Sequence, residues 1–354
     1  MSTQPVAGVW KRLWEEDPLG DSEGADRDTL VLWTQAPKSG IYVDIRLPFG
    51  SPGRSLQDAR AAGYKLNPSA LEAKGLVVND YKIKQADVLF RQKSFAGTLS
   101  YTVGDTTSGD AIANDKVLAH LAAEAKDGAL GLCTCFWRRD IDYQPPSGGL
   151  DIGVCASEPP NADGSIDLRE TGDDASYAEG WHRLPGSAEG PSFALKLVSE
   201  SDTERTGFWV RTGDEFAYAI GRPKNDALAE KLGCLAKSAA LEDCVGKSLR
   251  EAAKSVDDDL SNQLRMVGSY IGLHGRVANG EWIILHSTEP DLVGCSLVGL
   301  EGSSSCCSTL GLDGENKLPR VGDILTQSLV GPNGVVRKWE ILEIDGTSHL
   351  PGIE

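Results

Sequence analysis

The chain has 354 residues, of which 40% are hydrophobic and 25% charged, proportions that fit a globular protein of two domains with a core of ordinary size. The formal net charge of −17 argues against nucleic acid, whose phosphates demand Lys and Arg, and against an anionic membrane surface. No run approaches the roughly 18 apolar residues that would argue for a membrane-spanning helix, so no membrane insertion is expected.

The N-terminus, MSTQPVAGVWKRLWEEDP, lacks the apolar centre of a secretory leader, which makes the cytosol the expected compartment and leaves a nuclear pool open. Residues 1–27 are polar, acidic and glycine-containing and read as a flexible arm, with Trp10, Leu13 and Trp14 packing on the body as one helical turn. From Thr29 the pattern changes to period two. Ile41, Val43, Ile45 and Leu47 alternate with Tyr42, Asp44 and Arg46, which predicts a strand with one apolar and one polar face. The rhythm returns in Phe95–Val103, in Cys133–Cys135–Trp137, in Phe193–Leu195–Leu197 and in Phe216–Tyr218–Ile220, then near 271–277, 282–286, 323–330 and 335–344. Many short strands divided by Gly, Asp, Asn and Pro turns predict a sandwich or barrel.

Helices read as insertions in that pattern. Asn67-Pro68 ahead of a short Ala/Leu stretch and Gly75 carries helix start and stop signals, and residues 113–126 form a second segment. Between 225 and 265, Leu228, Leu232, Leu235, Leu241, Val245, Leu249, Val256 and Leu260 make one apolar stripe opposite a charged face. Such a stripe covers a barrel wall or docks a protein partner.

Three polar clusters are candidate sites. In the run 137–143, regular alternation would put Arg138, Asp140 and Asp142 on one face and Trp137, Arg139, Ile141 and Tyr143 on the other. The second cluster is Tyr177, Glu179, Trp181, His182 and Arg183, with His182 off the shared face. The third is Arg211, Thr212, Asp214, Tyr218 and Arg222, where Thr-Gly-Asp reads as a hairpin turn. Alternating charge is ordinarily the solvated face of an antiparallel sheet. Arg beside Trp and Tyr is also what a lumen needs to hold an acidic or aromatic ligand. The ligand contacts expected on that reading are Arg46, Trp137, Arg138, Arg139, Tyr143, Trp181, Arg183, Arg211 and Tyr218. Asp140, Asp142, Glu179 and His182 are eligible for acid–base chemistry by residue type alone.

Eight cysteines (Cys133, Cys135, Cys155, Cys234, Cys244, Cys295, Cys306 and Cys307) read as free thiols in a chain without a leader. Cys133 and Cys135 are two apart, Cys306 and Cys307 are adjacent, and no His lies near either pair, so no metal is expected. There is no nucleophile elbow, P-loop or dinucleotide fingerprint, and no cofactor is expected.

The order of several runs resembles a known family: YVDIRLP (42–48), SFAGTL (94–99), FWRRDIDYQPP (136–146), DIG (151–153), YAEGWHR (177–183), LKL (195–197) and GDEFAYAIGRP (213–223). This is similar to the Hri-type lipocalin-like proteins of fungi, which have relatives in bacteria and algae. The resemblance covers roughly residues 30–345, with insertions at 50–89, 104–128 and 225–265. It implies two calycin-like barrels, carries over no catalytic residue, and brings an association with a protein kinase from the member that named the family. The expected fold is therefore mainly β, two lipocalin-like antiparallel barrels in tandem with helical insertions: 28–190, then 191–354 carrying the insertion 225–265. Three functions stand as expectations. The first is a non-catalytic binder of a small, partly apolar, anionic ligand. The second is a protein-interaction module using the helical insertion, and the third a small-molecule isomerase, lyase or hydrolase.

Overall fold

Alternating sequences form strands because one face is always available for burial, and here two such sets of eight strands assemble. The computed structural model describes residues 6–16, 26–72, 86–103, 131–144, 150–157, 160–163, 165–201, 204–222, 269–298, 304–313, 318–345 and 350. The 113–126 and 225–265 segments lie outside the described residues, as do Cys234 and Cys244. The first set is β1 (Gly8–Glu16), β2 (Leu30–Gln35), β3 (Ile41–Leu47), β4 (Lys93–Val103), β5 (Gly131–Asp142), β6 (Asp151–Ser157), β7 (Ile166–Gly172) and β8 (Ala178–Arg183). It is a closed antiparallel barrel, sealed where β1 pairs with β8.

The second set is β9 (Ser192–Glu200), β10 (Gly207–Thr212), β11 (Glu215–Ile220), β12 (Ile271–Ala278), β13 (Glu281–Ser287), β14 (Cys307–Leu312), β15 (Ile324–Leu329) and β16 (Val336–Asp345). Its order is β13-β12-β11-β10-β9-β16-β15-β14, a half-barrel. Residues 294–298 lie in the open seam: Leu297 N donates to Trp282 O of β13 at 2.7 Å, and Ser296 O accepts from Cys306 N, just ahead of β14, at 2.7 Å. Gly213, at φ +60°, makes the β10–β11 hairpin turn where Thr-Gly-Asp stands.

Gly8–Glu16 of the N-terminal segment is neither arm nor helical turn but β1, the strand that closes the first barrel. Trp10, Leu13 and Trp14 carry helical spacing because β1 is bulged: the β8 register jumps between Arg12 and Trp14, leaving Leu13 as the extra residue. Trp10 consequently joins the barrel core, whereas Trp14 lies beneath the Arg169 guanidinium, 5.4 Å away, against Gly180. Of the 67–75 segment, the described residues form a 3₁₀ turn, Pro68–Glu72, preceded by α1 (Leu56–Ala61).

The apolar face of β3 points away from its own barrel. Ile41 and Val43 join Ala96, Ile141 and Tyr143 in one cluster with Ala194, Phe208, Val210, Ala217, Ala219 and Tyr270 of the second sheet. Small residues let the two walls approach, and Gly272 is required there: a Cβ would stand 2.4 Å from Ser94 Oγ. Arg222 ties the walls by donating to the Asp142 and Tyr143 carbonyls at 3.0 and 2.9 Å. Two carboxylates add further ties. Glu343 of β16 accepts from the Lys38 and Ser39 amides of the β2–β3 turn. Glu72 accepts from the Asn333 and Val335 amides of the β15–β16 turn, each at 3.1 Å.

Candidate functional site

With the apolar face of β3 spent on the neighbouring wall, its polar face turns into the first lumen. There Tyr42, Asp44 and Arg46 meet Trp33, Phe95, Trp137 and Trp181. Trp33 stacks on Trp10 at 6.0 Å and takes Trp137 and Trp181 edge-on at 5.8 and 5.7 Å. Arg46 donates to Asp44 Oδ1 at 3.1 Å and to Glu179 Oε1 at 3.0 Å, with its guanidinium 5.1 Å from the Phe95 ring centre. Arg12 shares Glu179, at 2.8 Å, and also holds Asp26 and Glu15. Arg139 pairs with Asp142 at 3.3 Å and with Asp151, and lies 4.1 Å from the Phe95 ring centre.

Regular alternation fails in β5, and the reason is a bulge. Ala96 faces Ile141 while Gly97 faces Arg139, so Asp140 is the extra residue. A Cβ on Gly97 would lie 2.0 Å from the Arg138 carbonyl oxygen, which explains glycine at that point. The bulge turns Arg139 and Asp142 toward each other, leaves Arg138 and Asp140 paired at the surface at 2.9 Å, and sends Ile141 and Tyr143 into the inter-barrel contact.

Asp44, Asp142, Asp151, Glu170 and Glu179 outnumber Arg12, Arg46 and Arg139 in this region. Burial disfavours ionised carboxylates. It raises Asp44, pushes Asp142 up to about 6 and lifts Glu170 well above the usual range, while Arg46 and Arg139 draw Asp44 and Asp142 back. The space left is a cavity of about 20 Å³, room for one water-sized molecule. Trp33 Nε1, Trp181 Nε1 and the Tyr42 hydroxyl, all at its wall, have no hydrogen-bond partner. The lumen is thus filled by its own side chains, and each of its guanidiniums already holds carboxylates.

The other sequence candidates separate. Arg183 covers Trp10 at 5.8 Å, and Arg211 covers Trp282 of the second sheet at 5.0 Å. Tyr218 lies inside the second sheet, where its hydroxyl accepts from Arg337 at 2.9 Å. Tyr143 packs edge-on against Tyr270 at 5.5 Å between the barrels. Of the acid–base candidates, Asp140 is on the surface with Arg138, and His182 faces outward with Nδ1 2.8 Å from Asp167. Asp142 and Glu179 are in the lumen, yet they bind different arginines. No two of the four share a hydrogen bond or an ion-pair partner among the described residues, so no acid–base constellation is assembled.

No known family and no curated protein matches the chain. A crystal structure of an uncharacterized protein from Saccharomyces cerevisiae is similar at 11% identity over 96% of this chain and 99% of its own, with a TM-score of 0.43. A likeness that distant carries no argument about function.

The roomier site lies outside both lumens. A cavity of about 250 Å³ opens where α1 and the chain after it meet the 3₁₀ turn Pro290–Leu292. Leu56, Ala59, Leu66, Pro290 and Val293 give it an apolar floor, with Tyr64 beside them. Arg60 and Lys65 stand exposed on its rim and form no ion pair among the described residues. The sequence gives no signal for this site, because its two walls are more than two hundred residues apart and one lies in the stretch read as an insertion.

Proposed function

We propose that this is a non-catalytic binding protein for a small, partly apolar, anionic molecule, and that the molecule sits in the Leu56–Val293 groove rather than in a barrel lumen. One observation carries the reading. In a chain of net charge −17, the groove combines an apolar floor with two exposed cations, in a volume that admits a small molecule. The first lumen lacks both room and an uncommitted guanidinium. The six described cysteines are free thiols, which supports a reducing compartment such as the cytosol. No described helix is long and apolar enough to cross a membrane. The order of motifs supports an Hri-type assignment, with which a closed eight-stranded antiparallel barrel is compatible. The alternative of a partner-docking helix rests on 225–265, outside the described residues.

The test is a fluorescence titration with anilinonaphthalene sulfonate, an apolar anion, beside its uncharged relative phenylnaphthylamine. The anion binds more tightly, and Arg60→Ala with Lys65→Ala weakens it by about tenfold while leaving the neutral probe unchanged. Val293→Trp, which fills the groove, abolishes both. Equal binding by wild type and Val293→Trp would sink the assignment. Native mass spectrometry of protein from its own source then identifies the natural ligand as a mass excess that Val293→Trp lacks.

A further inference from the structure

Cys133 and Cys135 are two apart on β5 and therefore share its inner face, and Cys155 stands opposite Cys133 on β6. The three Sγ atoms lie within 4.8 Å of one another, and those of Cys133 and Cys135 are 3.8 Å apart. All three residues are buried, with exposures of 5, 0 and 0%. Two sulfurs bound to one zinc ion at about 2.3 Å in tetrahedral geometry stand about 3.8 Å apart. The triad is thus already spaced as three thiolates converging on one ion.

A fourth donor is adjacent. Glu170 is the cross-strand partner of Cys155 on β7. Its Oε1 lies over Gly153, 2.9 Å from where a Cβ would be, and Gly153 is the partner of Cys135. The carboxylate therefore lies over Gly153 on the strand that carries Cys155, outside the cluster of three sulfurs. The Tyr177 hydroxyl donates to Oε1 at 2.9 Å and fixes the carboxylate, as outer-shell partners of metal ligands do. The sequence hides this set, because the CxC pair is completed by strand register and not by a second pair of neighbours.

We propose that Cys133, Cys135 and Cys155, with the Glu170 carboxylate as fourth ligand, form a site for a thiophilic divalent d¹⁰ cation, zinc(II). Binding forms three Zn–S bonds and one Zn–O bond. It releases to solvent whatever protons the thiols and the carboxyl still carry, and nothing is oxidised or reduced. Three thiolates and one carboxylate leave the bound site at net −2, and Arg46, which lines the same cavity as Glu170, is the neighbouring cation. The site is separate from the ligand groove and does not rest on it.

The test uses the full chain, reduced and stripped of metal by chelator. Zinc affinity is read against a chromophoric chelator, and cobalt(II) serves as a spectroscopic stand-in whose sulfur-to-metal charge-transfer band counts thiolates. Wild type binds one zinc. Cys155→Ser weakens binding at least about 100-fold and removes a third of the cobalt band, and Cys155→Ala does the same with a better-tolerated apolar replacement. Glu170→Gln weakens zinc about 10- to 100-fold with the band intensity unchanged. Cys295→Ser with Cys306→Ser leaves both readings unaltered. A measurement on wild type alone stands behind these: zinc slows alkylation of Cys133, Cys135 and Cys155, mapped by peptide mass, relative to the other cysteines. Unchanged alkylation with zinc, equal affinity in Cys155→Ala, or a native disulfide within the triad each overturns the proposal.

Discussion

The two eight-stranded sheets share an architecture and differ in what they enclose. The first surrounds Trp10, Trp33, Trp137 and Trp181 together with several arginines and a larger number of acidic groups. The second surrounds Trp209, Trp282, Trp339, Phe193 and Phe216, with two buried arginines, Arg337 and Arg205, on one carboxylate, Glu200. Arg337 is fully buried, donating to Glu200 at 2.8 Å and to Tyr218 at 2.9 Å. Trp339 and Tyr218 both donate to Gln327 Oε1, at 3.0 and 3.4 Å. Charge in the first interior is redundant, with arginines sharing carboxylates. Charge in the second is a small, fully buried set in which Arg337 and Arg205 share Glu200. Removing a member of a fully buried set costs more than removing one that reaches solvent.

That contrast sets the largest expected effect. Arg337→Ala removes the closer of the two arginines on buried Glu200, leaving Arg205 at 3.9 Å, and should cost about 3–5 kcal/mol in urea unfolding. Arg46→Ala should cost less, about 1–3 kcal/mol, because Glu179 keeps Arg12 and the Arg46 side chain is already 18% exposed, while buried Asp44 loses its bonded arginine. Equal losses would erase the distinction between the interiors.

Mild acid should move the two interiors in opposite directions. Asp142 is lifted by burial from 3.8 to about 6, so the folded state holds its proton more tightly than the unfolded chain does. Stability from this group rises as the pH falls from above 6 toward 4, by at most about 3 kcal/mol. The raised Asp44 and Glu170 act in the same sense. Buried His274 in the second sheet is held well below 6.5 by desolvation and by His286 and Arg276, despite Glu215 at 3.6 Å. Its contribution is lost as pH falls below 6.5. Urea midpoints followed from about pH 7 to about pH 5 should lose the acid-side gain in Asp142→Asn. They should lose the opposing acid-side penalty in His274→Gln. A profile unchanged by both substitutions would place the pH dependence elsewhere.

The smallest effects concern how the sheets hold each other. Glu72→Ala leaves the Asn333 and Val335 amides without their acceptor and should cost about 1–3 kcal/mol. Glu343→Ala does the same to Lys38 and Ser39, closer to solvent, and should cost about 1 kcal/mol. If either change splits a single unfolding transition into two, that carboxylate is what couples the barrels.

Much of the strand pattern is legible in the sequence, because a period of two survives any choice of neighbours. The alternation of Ile41–Leu47 and Phe216–Ile220 is local, and it returns as β3 and β11. Bulges are where local reading misleads. A single extra residue, Leu13 in β1 or Asp140 in β5, moves the following side chains to the other face. That is why Trp10, Leu13 and Trp14 imitate a helix, and why Arg139 faces Asp142 when alternation sets them apart. Gly97, which has no Cβ to meet the Arg138 carbonyl, is the one local trace of the second bulge, and only the register gives it meaning.

The sequence by itself determined the class of the fold, the strands with clean alternation, and an acidic, cysteine-bearing chain without a cofactor motif, because composition and periodicity are properties of neighbours along the chain. Tertiary structure alone decided that β1 closes the first barrel and that the apolar face of β3 belongs to the second. It alone placed Cys155 beside Cys133 and Cys135, and Val293 across from Leu56. Register and docking bring together residues from about twenty to more than two hundred positions apart, and the physical cost that selects among such pairings, of burying a charge without a partner or a surface without a complement, exists only once the chain has closed.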